Sequence, residues 1–344
     1  MNMFSKSIVV FFLTMSVVTS DGYAAEKLDL KLKLKPGQKY SMRIITENKI
    51  THTIMGQQQK INHHKTVELE LEVKDVQLSA AALVKVTYLS LKEKTESNHG
   101  DFEYDSTKPE TFDGNPLATS YNAMIGQGFV MKITPDGKIA ELKGIDEMYT
   151  RMAEKIVEAE DKLLSKRKKK FKSLQDTVKS VAKKRSMRER RETAKEMIKK
   201  YPMFTEEQFK QTVANVFVSL PSSPVGVGDS WRDKMMLGAL FGALSELDEA
   251  DSTYTLKKIE KESVIVDASS KKNLDNETIS RGAGSVKGSF SYQQSCEVDK
   301  STGWLKRNKA KTQFSGEQTA QGKTAPVSME TIITVEPTKN ITAK

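Results

Sequence analysis

The sequence predicts an α+β fold in which an antiparallel, curved sheet, built from two diverged β halves, lies around or beside a central helical insertion. Three observations predict it. Apolar and charged residues alternate through 28–73, and strand-like runs return after Pro221. Between Ile145 and Phe217 the apolar period is helical instead. The two β stretches also repeat local pieces in the same order. A period of two sorts side chains onto opposite faces of a strand, whereas a period near 3.6 gathers them on one face of a helix.

The chain opens with Lys6, an apolar run from Ile8 to Val18, and small residues at Gly22, Ala24 and Ala25. This is the layout of a secretory leader, so residues 1–24 are read as a signal peptide cut after Gly22-Tyr23-Ala24. The run is too short to cross a bilayer, which takes about 20 residues. No cysteine near the cut offers a lipid attachment point, and the mature protein is expected in the periplasm or outside the cell. The single cysteine, Cys296, leaves no internal disulfide, so the core holds without crosslinks. The longest later apolar run, Met235 to Leu244, is broken by Gly238 and Gly242, and no transmembrane segment is expected in the mature chain.

Leu28, Leu30, Leu32 and Leu34 alternate with Asp29, Lys31, Lys33 and Lys35 until Pro36-Gly37, which reads as a strand with one wet face. Further strands are expected at 40–50, at Val67, Leu69, Leu71 and Val73, and at Val84, Val86 and Tyr88. A hairpin turns at Pro135-Asp136-Gly137 after Phe129–Ile133. Ile145, Met148, Met152, Ile156 and Leu163 then recur at helical spacing, as do Phe171, Leu174, Val178 and Val181. No Gly or Pro interrupts 145–201. Thr205 with Gln208 resembles a capping box opening a last helix, with Phe209, Val213 and Phe217 as its stripe, stopped by Pro221. Strands follow at 254–259, 264–267, 290–298, 304–308 and 327–335. Residues 271–288 read as a polar loop and the tail after Pro337 as frayed.

The β halves correspond piece by piece. Pro36-Gly37-Gln38-Lys39-Tyr40 matches Val227-Gly228-Asp229-Ser230-Trp231, and the hairpin 131–142 matches 296–306. A diverged duplication follows, with a first β segment over 25–143, a helical insertion over 144–218, a second β segment over 219–337 and a tail over 338–344.

Leu220-Pro221-Ser222-Ser223-Pro224-Val225-Gly226-Val227-Gly228-Asp229-Ser230-Trp231 is the most distinctive stretch. With Leu34, Gly37 and Tyr40, with Ile133-Thr134-Pro135-Asp136-Gly137, and with Asp299-Lys300-Ser301-Thr302-Gly303-Trp304, it resembles an uncharacterised family of exported bacterial proteins, a domain of unknown function. The resemblance covers most of the mature chain and departs from the family in the long, basic helical region. It implies no catalytic residues. At the level of fold it is similar to the half-barrels of periplasmic lipoprotein carriers, in which a sheet wraps helices.

Motifs for chemistry are sparse. No nucleophile elbow, zinc-protease helix or phosphate loop occurs. The Ser-x-x-Lys matches at Ser165, Ser180 and Ser269 are those expected of a lysine-rich chain. His63-His64 sits beside Asn62, but adjacent strand residues face opposite ways and no Cys or carboxylate set completes a metal site, so the pair reads as a solvated hairpin loop. Cys296 alternates with Phe290, Tyr292, Gln294 and Val298 and reads as a small buried residue. No enzyme activity, cofactor or metal is therefore expected.

Two groups remain as binding candidates. Trp231, Met235, Met236, Phe241 and Trp304 are adaptable or flat apolar residues suited to a lipid or other amphipathic ligand, although burial in the core is the leading explanation for them. The chain's net charge of +10 lies in one place: residues 151–200 carry 19 Lys and Arg against 8 Asp and Glu, and the rest carries 36 against 37. Lys166, Arg167, Lys168, Lys169 and Lys170, with Lys183, Lys184 and Arg185, are the densest clusters and suit an anionic envelope surface. Nucleic acid is not the expected partner, because an exported protein seldom meets it and the tract offers only Phe171 for stacking. The expected function is a non-enzymatic, exported binding or envelope-associated protein. The alternative is a structural protein whose basic helices bind polyanions and which has no pocket. N-terminal sequencing of protein from a periplasmic extract is expected to start near Ala25; an intact Met1 would refute the leader.

Overall fold

A computed structural model describes residues 27–54, 56–98, 100–108, 115–170, 186–236, 249–279, 284–320 and 322–338. The expected signal peptide and residues 339–344 of the expected tail lie outside them. The chain forms β1 (Lys39–Ile54), β2 (Gln57–Val76), β3 (Ala82–Ser97), β4 (Phe102–Asp105), β5 (Gly128–Ile133) and β6 (Ile139–Lys143). After the helices come β7 (Ser230–Met236), β8 (Glu249–Ile259), β9 (Ser263–Ile279), β10 (Gly284–Asp299), β11 (Leu305–Ala320) and β12 (Lys323–Pro337). The helices are α1 (Pro116–Met124), α2 (Ile145–Lys170), α3 (Met187–Lys200) and α4 (Glu206–Ala214). The protein is more β-dominated than the expected α+β balance. Of residues 271–288, expected as a loop, 271–279 and 284–288 are instead the facing ends of β9 and β10. Exposed Lys271, Asn273, Asp275 and Lys287 make the stretch polar, and composition alone does not separate that from a loop.

All strands pair antiparallel in a single curved, unclosed sheet of order β6-β5-β3-β2-β1-β12-β11-β10-β9-β8-β7, with β4 alongside β3. Apart from that side branch, the order is a meander in chain sequence whose first and last strands join. β1 and β12 pair from Met42↔Pro337 to His52↔Val327. Among the described residues the two ends of the strand order are β6 and β7, and the sheet is open between them.

The duplication has a geometric counterpart. Gly37 and Gly228 both adopt positive φ, and their N–H groups donate to Val73 and Leu256, on the second strand of each half. Val73 and Leu256 donate in return to Gln38 and Asp229. Each half is also preceded by an extended strap that crosses the other half's hairpin. The strap before β1 donates from Leu32 to Pro135 and from Lys33 to Thr302, and the strap before β7 donates from Leu220 to Asp136. At the crossings stand Gly303 and Gly137, where a Cβ would lie 2.2 Å from the Lys31 oxygen and 2.3 Å from the Val218 oxygen. Residues 28–35 are therefore no ladder strand. Their alternation is real, with Leu30, Leu32 and Leu34 buried, but the backbone meets the sheet only at such crossings and at a single bridge from Leu28 to Val225.

The halves diverge at one point. After its hairpin the second half adds β12, which pairs with β1. At the same place the first half turns at Gly144 (φ 81°) into α2. Among the described residues no strand then bridges β6 to β7. The helices fill the concave face of the first half, where Phe209 of α4 packs among Tyr88, Phe129 and Tyr149. Thr205 caps α4 by accepting from Gln208 N–H, and the Gln208 side chain donates to Gln211. The helix ends at Ala214, well before Pro221, because the strap has to begin there.

Because β12 is paired on both sides from Val327 to Val335, a proline introduced there deletes a ladder bond. Thr334→Pro, on the outward face, is expected to leave a buried group unpaired at a cost of about 1–3 kcal/mol. It should lower one shared unfolding transition, followed by circular dichroism, rather than release one half ahead of the other.

Candidate functional site

The two concave faces are built from different residues. In the first half Leu69, Leu71, Val84, Val86, Phe129 and Met131 point inward and are buried by the helices. In the second half an inward row runs Tyr254, Ala268, Gln294, Ala310, Ile333 across five strands. The next row runs Ser270, Tyr292, Thr312, Thr331. Alanine, serine and threonine at these depths cannot reach the helices, and a cavity of about 450 Å³ remains. Its floor includes Tyr254, Tyr292, Gln294, Asn308, Ala310 and Ile333, and its roof is α4 with Phe217 and Val218 of the strap. It opens between β6 and β7, at Ile139, Lys138 and Asp233.

The floor is polar but uncharged. Gln294 Nε2 donates to Asn308 Oδ1 at 3.0 Å, with both residues buried. Burial raises the Tyr254 and Tyr292 phenols above their ordinary value, with Asp233 and Cys296 adding at Tyr254 and its neighbour Tyr254 adding at Tyr292. The charged groups stand at the mouth and on the roof. Lys138 pairs with Asp233 at 3.0 Å across the β6–β7 opening, and the Ser219 hydroxyl donates to the same carboxylate. Burial alone would raise the Asp233 carboxyl. The Ser219 hydroxyl, the Lys138 ammonium and the Lys234 N–H outweigh it and hold the group below the usual range. Mouth and strap are thus tied by one carboxylate.

The residues singled out by sequence are divided. Trp231 lies beside the cavity, stacked on Tyr254 at 5.8 Å, with its indole N–H donating to Ser219 O at 3.1 Å. Trp304 stacks on Tyr40 at 3.7 Å, away from the cavity, and reaches it only through an edge contact with Phe217. Met235 and Met236 end β7, with side chains that lie outside the description, and Phe241 lies outside the described residues. Lys166, Arg167, Lys168, Lys169 and Lys170 form the end of α2, their side chains again outside the description; Lys183, Lys184 and Arg185 lie outside the described residues. Elsewhere the basic tract is spent on α2. Arg190 pairs with Glu160 and Asp161, Arg191 with Glu154, and Lys195 and Lys199 with Asp146.

His63 and His64 occupy the middle of β2, not a hairpin loop, because β2 runs on to the hairpin at Gly56. Their side chains do face opposite ways: His63 lies 3.4 Å from buried Glu93 and His64 3.8 Å from Glu47 outside. Glu93 also accepts from Tyr121 at 2.7 Å, which pins α1 to the sheet. Burial would raise its carboxyl, but His63, Lys65 and Tyr121 hold it low. Cys296 is buried, and burial, with Asp267 adding, raises its thiol to about 12. Sequence reasoning missed the floor residues Tyr254, Gln294, Asn308 and Ala310. Their one signal was small or polar residues at inward positions of strands.

Against known families, residues 80–177 and 169–305 match a family of unknown function, DUF6263. The chain belongs to the DUF6263 family. No curated protein sequence matches this member. Among solved structures, it is similar to one describing lipid–protein interactions in lipovitellin, at 7% identity and a TM-score of 0.44, over 91% of this chain. The match spans only 27% of the lipovitellin chain. A second likeness is to Pseudomonas aeruginosa OccK2 (OpdF) in complex with glucuronate, at 6% identity and a TM-score of 0.16, over 88% of this chain and 62% of that one. Likenesses this distant identify neither ligand nor activity for the DUF6263 member.

A carboxylate held below its unfolded value near 3.9 adds stability above that pH and loses it as pH falls through the folded value. Asp233→Asn is accordingly expected to cost about 1 kcal/mol at neutral pH. The loss should shrink on acidification, which urea unfolding at several pH values would read.

Proposed function

We propose that this DUF6263 protein is a non-enzymatic binding protein of the cell envelope, exported by its leader, that holds an amphipathic, lipid-like molecule. The observation that carries the reading is the cavity between the second half of the sheet and α4. Its volume falls in the several-hundred Å³ range of small-molecule sites, and aromatic and aliphatic walls with a few convergent polar groups are the usual make-up of such sites. Magnitude adds support. Held dry and empty, a space of this size would cost on the order of 10 kcal/mol, as much as a whole domain's stability. The open mouth lets water fill it instead, and an amphiphile gains by displacing water that meets Phe217, Val218 and Ile333.

This reading is better supported than the rival one, in which the basic helices bind a polyanion and no pocket exists. A pocket is present, and four of the basic residues already pair within the protein. Native mass spectrometry of protein purified from its own envelope should show a co-purifying species of lipid mass. Ala310→Phe, which places a ring in the floor, should abolish that species while the protein stays folded. Unchanged retention in Ala310→Phe, or no bound species in either form, would overturn the proposal.

A further inference from the structure

We infer that the molecule held in this cavity carries an uncharged carbonyl group, as an amide or ester, seated against Tyr254, Tyr292 and the Gln294–Asn308 pair. The inference rests on the cavity reading above and adds the chemistry of its ligand. It starts from an imbalance of hydrogen-bonding groups on the floor. Tyr292 and Tyr254 are 8% and 7% exposed, and neither phenol has a hydrogen-bond partner among the described residues. Asn308 uses its oxygen to accept from Gln294, which leaves its own amide N–H groups to donate. Two phenolic O–H groups and an amide NH2 thus converge from β8, β10 and β11, and a floor rich in donors calls for an acceptor.

Charge then narrows the acceptor. A carboxylate or phosphate on the floor would need a buried cation. The cations lining the cavity are Lys138, already paired with Asp233, Lys234 beside it at the mouth on β7, and Lys210 on the roof helix. The floor itself has none. A carbonyl oxygen accepts from the phenols and the amide without bringing charge, and its chain can lie against Ala310 and Ile333.

The test uses three probes of one chain length, dodecanamide, dodecanoate and dodecylammonium, titrated into the full mature protein at neutral pH. Native mass spectrometry reads binding. Dodecanamide is expected to bind at least about tenfold more tightly than either ion. Tyr292→Phe and Tyr254→Phe, which remove a hydroxyl without changing shape, should each weaken the amide about fivefold to tenfold and leave the ions unchanged. A purely structural role for the phenols would move all three probes together or lower the unfolding midpoint. Equal binding of amide and dodecanoate, or phenylalanine variants that keep full amide affinity, would overturn this inference and leave the cavity reading intact. Failure of every probe, with Ala310→Phe indistinguishable from the unaltered protein, would overturn both.

Discussion

The pairing of β1 with β12 is the constraint on which the other features depend. It joins residues almost a full chain length apart, from Met42↔Pro337 to His52↔Val327, so it carries the largest loop-closure cost of any contact in the fold. Without it there are two separate meanders, each with a long unpaired edge, and such edges invite association with other chains. With it those two edges are paired. Among the described residues the edges that flank the opening are β6, of five residues, and β7, which carries Arg232, Asp233 and Lys234. Short, charged strands are how natural sheets keep their edges harmless.

That single closure also decides where the opening lies. The second half continues from its hairpin into β12 and completes its seam; the first half reaches the equivalent point and turns into α2. The insertion thus stands where a strand would otherwise be. Its amphipathic helices bury their apolar stripe against the face that offers leucine, valine and phenylalanine. The charged side of α3 is balanced by carboxylates of α2 rather than left free, as the Arg190, Arg191, Lys195 and Lys199 pairs show. Of these carboxylates only Asp146 lies outside residues 151–200, so the excess of positive charge in that window stands.

Much of the fold was legible because alternation is a local property. Val67, Leu69, Leu71 and Val73 declared both a strand and its inward face, and the Gly37 and Gly228 turns declared the repeat. What alternation does not declare is the partner. Leu28–Lys35 alternates as well as any strand, yet crosses the sheet's end as a strap, and 271–288 looked like a loop because both of its strands are polar where they meet solvent. The cavity was illegible for the same reason. Ala268, Gln294 and Ala310 are neighbours only once β9, β10 and β11 are in register, and nothing near any of them in sequence says so. Trp231 was found because aromatic size is visible in isolation; Trp304 was found on the same ground, and it serves the seam beside Tyr40.

The duplication gives the division of labour a physical basis. Two copies of one meander start with equivalent concave faces, and a sheet closed through both seams would have to fill its interior with side chains or leave a lumen. Replacing one seam strand by helices supplies filling for only one face. The other face could become apolar and collapse onto the helices, or remain small and polar around a space. A large inward residue at 310 would have achieved collapse at no topological cost. Alanine there, beside Gln294 and Asn308, instead leaves the space open. The strap from Phe217 to Leu220 roofs that space, and the Asp233 carboxylate ties it to both sides of the mouth. The same inserted segment thus creates the opening, fills one half and roofs the other, so a change in its length or anchoring acts on the cavity before it acts on the sheet.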